Sequence, residues 1–324
     1  AVTDRLNATA GVRYTEDEAE IALQSRGPMF TFFGPQICRL PVGGEGVDSE
    51  NCIRNIGDKY NATTYTASLD YRFNEDLLVY ATTRRGYNGG GFNTSVPASN
   101  DPGAPQSTYS PETITDYEIG AKSNFSIGGL SLLANLSLFL AEYDDIQRQT
   151  FGVSSSNQTY IGVSNGPKAT IYGAQLEAAA QLTPELLVSA NYGYLHTGYD
   201  EGSLGFPKGN AFAQAPEHTV NLLAGYRRPL AGGADFVANA SYAYQSEISF
   251  QDNNLGSEYA FQEGYGLVDL SVGLDNLGGD LGVKFFIKNV TDEAYALERQ
   301  DLLASFGFVG TVYNDPRTYG VELN

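Results

Sequence analysis

Catalysis and metal binding need nucleophiles, bases and soft donors close together, and this chain of 324 residues is sparing with all three. It holds two histidines, His196 and His218, and two cysteines, Cys38 and Cys52. The histidines have neither helical nor strand spacing, and no His lies near the cysteines, so no metal site is expected. A lipid hydrolase would need a Ser–His pair on one face, and Ser189 and Ser241 are the available serines. Both alternate onto the polar face of their segments, away from the face such an enzyme would use. The run Gly86 to Gly91 lacks the spacing and the following helix of a phosphate-binding loop. The residues therefore imply no catalytic group, no cofactor and no enzyme.

The cysteines lie 14 positions apart in a Gly/Pro-rich stretch. That placement suits a loop disulfide made in an oxidising compartment, worth roughly 3 kcal/mol for a loop of about 15 residues in the chain-entropy picture. The formal net charge of −19 excludes nucleic acid as a partner, because a phosphate backbone would meet a like-charged surface.

The elements that carry these residues read as strands. The chain has 37 Gly, 22 Tyr and 17 Phe but no Trp and one Met, a composition suited to strands and turns. Strict alternation recurs: Tyr65, Ala67, Leu69, Tyr71 and Phe73 oppose Thr64, Thr66, Ser68, Asp70 and Arg72, and Val268, Leu270, Val272 and Leu274 oppose Asp269, Ser271, Gly273 and Asp275. Such alternation puts apolar side chains on one face of a strand. Twelve strands are expected, near 4–15, 62–73, 77–88, 112–125, 130–147, 168–182, 185–199, 217–228, 235–247, 265–276, 280–290 and 316–324. In 77–88 either parity could face outward.

No run of 18 apolar residues exists, so a transmembrane helix is excluded, but a tilted membrane strand needs only about nine to eleven residues. Connections alternate between tight turns, such as Asn74-Glu75-Asp76 and Ser126-Ile127-Gly128-Gly129, and long loops at 16–61, 89–111, 152–167, 200–216, 248–264 and 291–315. Short periplasmic turns and long external loops mark an outer-membrane barrel. The expected fold is all-β, a transmembrane antiparallel up-and-down β-barrel, with Tyr71, Phe73, Tyr192, Tyr194, Tyr242 and Tyr244 as interfacial aromatics. Outer-membrane lipid and lipopolysaccharide are then its surroundings.

Several strings resemble the C-terminal half of TonB-dependent outer-membrane receptors of Gram-negative bacteria. They are Tyr71-Arg72-Phe73 followed by 77–82 and by Arg84-Arg85-Gly86-Tyr87-Asn88-Gly89-Gly90-Gly91-Phe92-Asn93; Tyr109 to Thr113 leading into Tyr117 to Lys122; Lys288 to Tyr295; and Pro316 to Val321. The resemblance implies a monomeric 22-stranded barrel around an N-terminal plug, importing a ferric siderophore, a corrinoid or a glycan with energy from the TonB complex. This chain departs from that pattern: it shows no plug and no TonB box, has about half the strands, and Leu323-Asn324 stops short of a terminal aromatic. Residues 1–324 are therefore expected to be the C-terminal part of such a barrel. The alternative is a passive porin-like channel, complete without a plug.

Ligand contact would fall to external-loop residues Tyr87, Asn88, Phe92, Asn93, Arg299 and Tyr313, although the glycines at 86–91 also suit a flexible loop with positive φ. Asp70, Arg72, Glu118, Lys122, Glu177, Lys284 and Lys288 are expected to line the lumen, pairing with one another, with the missing plug or with a polar solute.

Overall fold

The computed structural model describes residues 3–24, 26–28, 36–38, 47–48, 50–93, 108–153, 159–203, 206–252, 258–303 and 307–324. Twelve long strands follow one another as neighbours: β1 (Leu6–Gln24), β2 (Ile53–Arg72), β3 (Leu77–Asn88), β4 (Glu112–Ile127), β5 (Leu130–Asp144), β6 (Ala169–Thr183), β7 (Leu186–Tyr199), β8 (His218–Pro229), β9 (Asp235–Gln245), β10 (Tyr265–Leu277), β11 (Leu281–Lys288) and β12 (Thr318–Leu323). Every pairing is antiparallel, and the two-residue strand Val47–Asp48 adds to β2. No helix among the described residues is long and apolar enough to cross a membrane.

Tight turns occupy one end. Ile127 pairs with Leu130, so Gly128 and Gly129 alone make the turn, at φ 59° and 86°. Both angles are left-handed, which two-residue hairpin turns demand and glycine supplies most easily. At the opposite end the connections are long and build small structures of their own. The hairpins Gln147–Val153/Thr159–Asn165 and Ala296–Leu302/Phe308–Tyr313 are the largest of these.

Register assigns the faces. Leu69 pairs with Ala81, Ala81 with Ile119, Ile119 with Leu138 and Leu138 with Ala174, so an apolar row crosses five strands. One row away Tyr80 pairs with Asp70 and with Gly120, which pairs with Ser137. The open choice in 77–88 is thereby decided, with Leu77, Val79, Ala81 and Thr83 on the apolar face. That face is the lipid face, because among the described residues no second layer covers it and Leu69, Ile119 and Leu138 stay exposed. On β7 the distance from Leu186 to His196 is about 33 Å along the strand, or about 25 Å after a barrel-like tilt, which matches an outer-membrane apolar band. Tyr71, Phe73, Tyr226 and Phe236 stand at its turn end, and Tyr172, Tyr192, Tyr194, Tyr242 and Tyr244 at its loop end, with ring contacts such as Tyr71–Phe73 at 4.8 Å.

Two expectations need correction. The loop 16–61 is in large part strand, since β1 runs on to Gln24 and β2 begins at Ile53. Beyond the membrane the lipid-side positions become Glu16, Glu18, Glu20 and Lys59, so apolar alternation ends although backbone pairing continues. The polar face is also less uniform than alternation suggests, because Leu187 and Leu223 lie on it beside Ser189 and Gly225.

Aromatic rings on that face lie across glycines of the next strand. A Cβ on Gly120 would stand 2.5 Å from the Tyr80 ring, one on Gly173 2.7 Å from Phe139, and one on Gly320 2.7 Å from Phe286. The ring covers backbone that a side chain would otherwise shield. Among the described residues one cluster of buried side chains lies among the loops, around Ile146, Ala169, Tyr199, Phe206 and Phe212.

Among the described residues β1 and β12 pair on one side only. Their lipid-facing side chains are correspondingly bare, with Val12 78% and Tyr319 80% exposed against 40% for Leu140 in the middle of the sheet.

Gly120→Val should lower stability by about 1–3 kcal/mol through overpacking against Tyr80. Gly11→Ala, where nothing lies within 4 Å of the new Cβ, should stay within about 0.5 kcal/mol. Urea unfolding in lipid vesicles measures both, and equal effects would discount the ring-over-glycine contact.

Candidate functional site

All seven expected lumen residues lie on the polar face. Arg72 pairs with Leu78, Leu78 with Lys122, Lys122 with Asn135 and Asn135 with Glu177, a single row across five strands. Asp70 accepts from the Asn7 amide at 3.2 Å and the Ser68 hydroxyl at 3.1 Å. Glu118 accepts from the Tyr80 hydroxyl at 2.6 Å and from Arg84 at 3.0 Å, and Arg84 also donates to Asp116 at 2.9 Å. Glu177 accepts from Asn135 at 2.9 Å. Lys284 pairs with Glu322 at 2.6 Å, while Lys288 stands 5.9 Å from the Phe286 ring. Most of this wall is self-paired, a hydrogen-bonding surface rather than a set of bare charges. Arg84, Asp116 and Tyr80 escaped notice because alternation reports which face a residue takes and not what it meets there.

The histidines stand on the other face. The His196 ring stacks on Tyr172 at 4.7 Å with its Nδ1 4.0 Å from Glu217, and Nδ1 of His218 shares a 2.9 Å hydrogen bond with the Tyr192 hydroxyl. Ser189 and Ser241 share the polar face with Leu223, their cross-strand partner. The sheet therefore separates these two hydroxyls from both imidazoles. Among the described residues no three His, Cys, Asp or Glu side chains converge. Cys52 is disulfide-bonded and 2% exposed; the side chain of Cys38 lies outside the described residues.

At the loop end, tyrosine rings grip the glycine run. A Cβ on Gly90 would lie 2.6 Å from the Tyr60 ring, and a Cβ on Gly89 would lie 3.6 Å from the Tyr87 hydroxyl; Gly91 is packed as tightly against Tyr109. None of Gly86, Gly89, Gly90 and Gly91 has positive φ. These glycines serve close approach and not left-handed turning, which corrects the expectation of positive φ. Tyr60 is 8% exposed, and the buried hydroxyls of Tyr60 and Tyr87 make no hydrogen bond of normal geometry among the described residues. Burial, and then Asp58 beside Tyr60 and Asp17 beside Tyr87, push both phenols up from their ordinary value, so both remain donors. Tyr60 and Asp17 gave no sequence signal, because apolar alternation has ended where they lie.

The other expected contact residues divide. Asn88 donates to Glu112 at 3.2 Å and Gln147 at 3.0 Å, and the Asn93 amide both donates to and accepts from the Val163 backbone at 2.8 Å. These two amides hold loops together. Phe92 lies in the short pairing of Gly91–Phe92 with Thr108–Tyr109. Arg299 donates to the Phe261 carbonyl at 2.6 Å, tying two loops, while Tyr313 is 59% exposed.

Three further loops are locked by one ion pair. The Arg148 guanidinium lies 4.3 Å from the Phe212 ring centre, donates to the Tyr199 hydroxyl at 3.2 Å and pairs with Asp252 at 3.2 Å. Asp252 also accepts from the Ala213 N–H at 2.7 Å. The mouth thus combines a fixed cap with the tyrosine-gripped glycine loop, above a polar wall.

The family model described as "TonB dependent receptor-like, beta-barrel" matches residues 1–290. Solved structures share the fold. The ferric yersiniabactin uptake receptor FyuA from Yersinia pestis superposes with a TM-score of 0.73 at 20% identity, covering 99% of this chain and 43% of that one. The closed form of the ferric-catecholate import receptor Fiu from E. coli K12 gives 0.70 at 18% identity, covering 99% and 42%. The copper transporter OprC gives 0.70 at 15% identity, covering 99% and 45%. The chain spans roughly two-fifths of the length of the structures it matches.

Asp252→Ala should free the cap. Losing hydrogen bonds to a charged group costs about 1.5–3 kcal/mol, so local opening should rise about tenfold or more. Protease treatment of intact cells should then cut within 200–216 and 248–264 correspondingly faster, with the rest of the barrel unchanged.

Proposed function

We propose, since the chain belongs to the TonB-dependent receptor-like β-barrel family, that it forms the C-terminal part of an outer-membrane receptor that imports a bulky, scarce nutrient, most simply a ferric siderophore. The barrel resides in the outer membrane, and its family consists of transport receptors and not enzymes. In this reading residues 1–324 supply twelve strands of a larger barrel, and a plug that engages TonB lies elsewhere in the protein.

One observation carries the reading: twelve strands in simple meander order present a continuous polar wall on one face, and their two edges remain unpaired among the described residues. Unpaired backbone is costly in hydrocarbon, so a sheet of this kind continues into further strands. A self-contained twelve-stranded porin would join β1 to β12, and the open edges weigh against it. Two of the similar structures are described as ferric uptake or import receptors. OprC, described as a copper transporter, shares the fold, so the choice of ferric siderophore rests on the mouth. There the partly exposed rings of Tyr87 and Tyr109 border the glycine loop that buried Tyr60 fixes from beneath, aromatic faces suited to a bulky chelate. Corrinoids and glycans are the competing cargoes.

The receptor extracted whole from outer membranes should bind at least one ferric chelate with a Kd of about 1 µM or tighter by calorimetry. Tyr87→Ala should weaken that binding about tenfold. Binding of a corrinoid or an oligosaccharide, with no heat from catecholate, hydroxamate or carboxylate ferric chelates, would replace the siderophore reading.

A further inference from the structure

Arg227 and Arg228 are neighbours in sequence and leave β8 on opposite faces. Arg227 meets Asp235 at 2.8 Å and Asp275 at 3.5 Å on the polar wall, so its charge is answered within the protein. Arg228 pairs with Phe236 of β9 on the lipid side at the turn end, and among the described residues it makes no ion pair. The two carboxylates that hold Arg227 lie on the far side of the sheet from it.

One same-face step along β8 from Arg228, a groove opens on the lipid side. Tyr226 pairs with Ala238, Ala238 with Val272 and Val272 with Phe285, and the next row runs through Ala224, Ala240, Leu270 and Ile287. Three alanines thus make a low floor, with Tyr226 on one side and Leu270, Val272 and Phe285 on the other. The hollow measures about 590 Å³, inside the roughly 300–1,000 Å³ of small-ligand sites. Phe285 is 56% exposed, so its ring stands up from the sheet as a wall. Tyr226 and Phe236, with ring centres 6.1 Å apart, stand where aromatic side chains mark the membrane interface.

We infer that this groove and Arg228 together bind one anionic phospholipid of the periplasmic leaflet, its acyl chain over the alanine floor and its phosphate against the guanidinium. The groove is continuous with the lipid face of the barrel, so its occupant is drawn from the membrane. The tight turns place this end in the leaflet built of phospholipid. Arg228 stands about 7 Å along the strand from Tyr226, so the headgroup and chain of one molecule reach both. Charge then selects among phospholipids, because a guanidinium takes two phosphate oxygens at once. Asp235 and Asp275 are held by Arg227, and Glu185 in the neighbouring turn accepts from the Thr183 hydroxyl at 3.0 Å, so these carboxylates are not free for the ammonium of a zwitterionic headgroup. The site depends on the lipid face alone and is the same whatever nutrient is carried.

The test places the intact receptor in phosphatidylethanolamine vesicles with a minor fraction of phosphatidylglycerol that carries a photoreactive diazirine in its acyl chain. After illumination, peptide mass spectrometry locates the adducts. They should concentrate on 224–240 and 270–287, at about five times the yield of an ethanolamine lipid bearing the same diazirine. The preference should shrink at 1 M salt, where the screening length is about 3 Å. Arg228→Gln should keep the adducts in the groove and remove the headgroup preference, whereas Ala240→Phe should fill the floor and cut labelling there several-fold. Heat-modifiable mobility in gels confirms that both variants have folded. Equal yields from the two headgroups, a preference unchanged in Arg228→Gln, or adducts spread evenly around the lipid face would overturn the site, as would undiminished labelling of folded Ala240→Phe.

Discussion

In hydrocarbon no water is present to take a hydrogen bond, so every backbone N–H and C=O must find its partner within the protein. The rest of this structure depends on that constraint. A meander of antiparallel strands meets it with local connections alone, and each of the ten inner strands pairs on both sides. Once pairing is fixed, alternation is forced, because successive side chains leave the sheet on opposite faces. One face must then be apolar over the membrane thickness, and the other is released to be polar.

The polar wall shows what that release permits. Arg84, Asp116, Glu118 and Tyr80 satisfy one another across two strands, and Lys284 meets Glu322 across another pair. Tyr80, Phe139 and Phe286 lie over glycines, so the wall is smooth where bulk would obstruct the lumen and rigid where rings replace side chains. The same separation of faces puts Ser189 and Ser241 on the side of the sheet opposite to His196 and His218.

Beyond the membrane water returns and the rules relax. β1 and β2 continue as a hairpin whose outer positions are Glu16, Glu18, Glu20 and Lys59, paired by backbone without any apolar signal. A small core around Tyr199 and Phe212 replaces lipid as the organiser of the loops, and Arg148 with Asp252 pins it. The strands in the membrane were legible from the sequence because lipid selects one parity of side chain, so 77–88 and the neighbours of the short turns fall where alternation puts them. The extensions of β1 and β2 were not legible, because in water either parity is tolerated.

The sequence alone determined the all-β barrel, its strand order, the end that carries the loops and the side on which Asp70, Arg72, Glu118, Lys122, Glu177, Lys284 and Lys288 stand. Each of these follows from a period of two and from turn chemistry, which are local. Only the tertiary structure decided what those side chains meet: that Asn88 and Asn93 bind loops together, that Tyr60 and Tyr109 grip the glycines beside Tyr87, and that Arg84 joins Asp116 to Glu118. Such contacts join residues tens of positions apart through strand register, and register is a property of neighbouring strands taken together and not of any one segment.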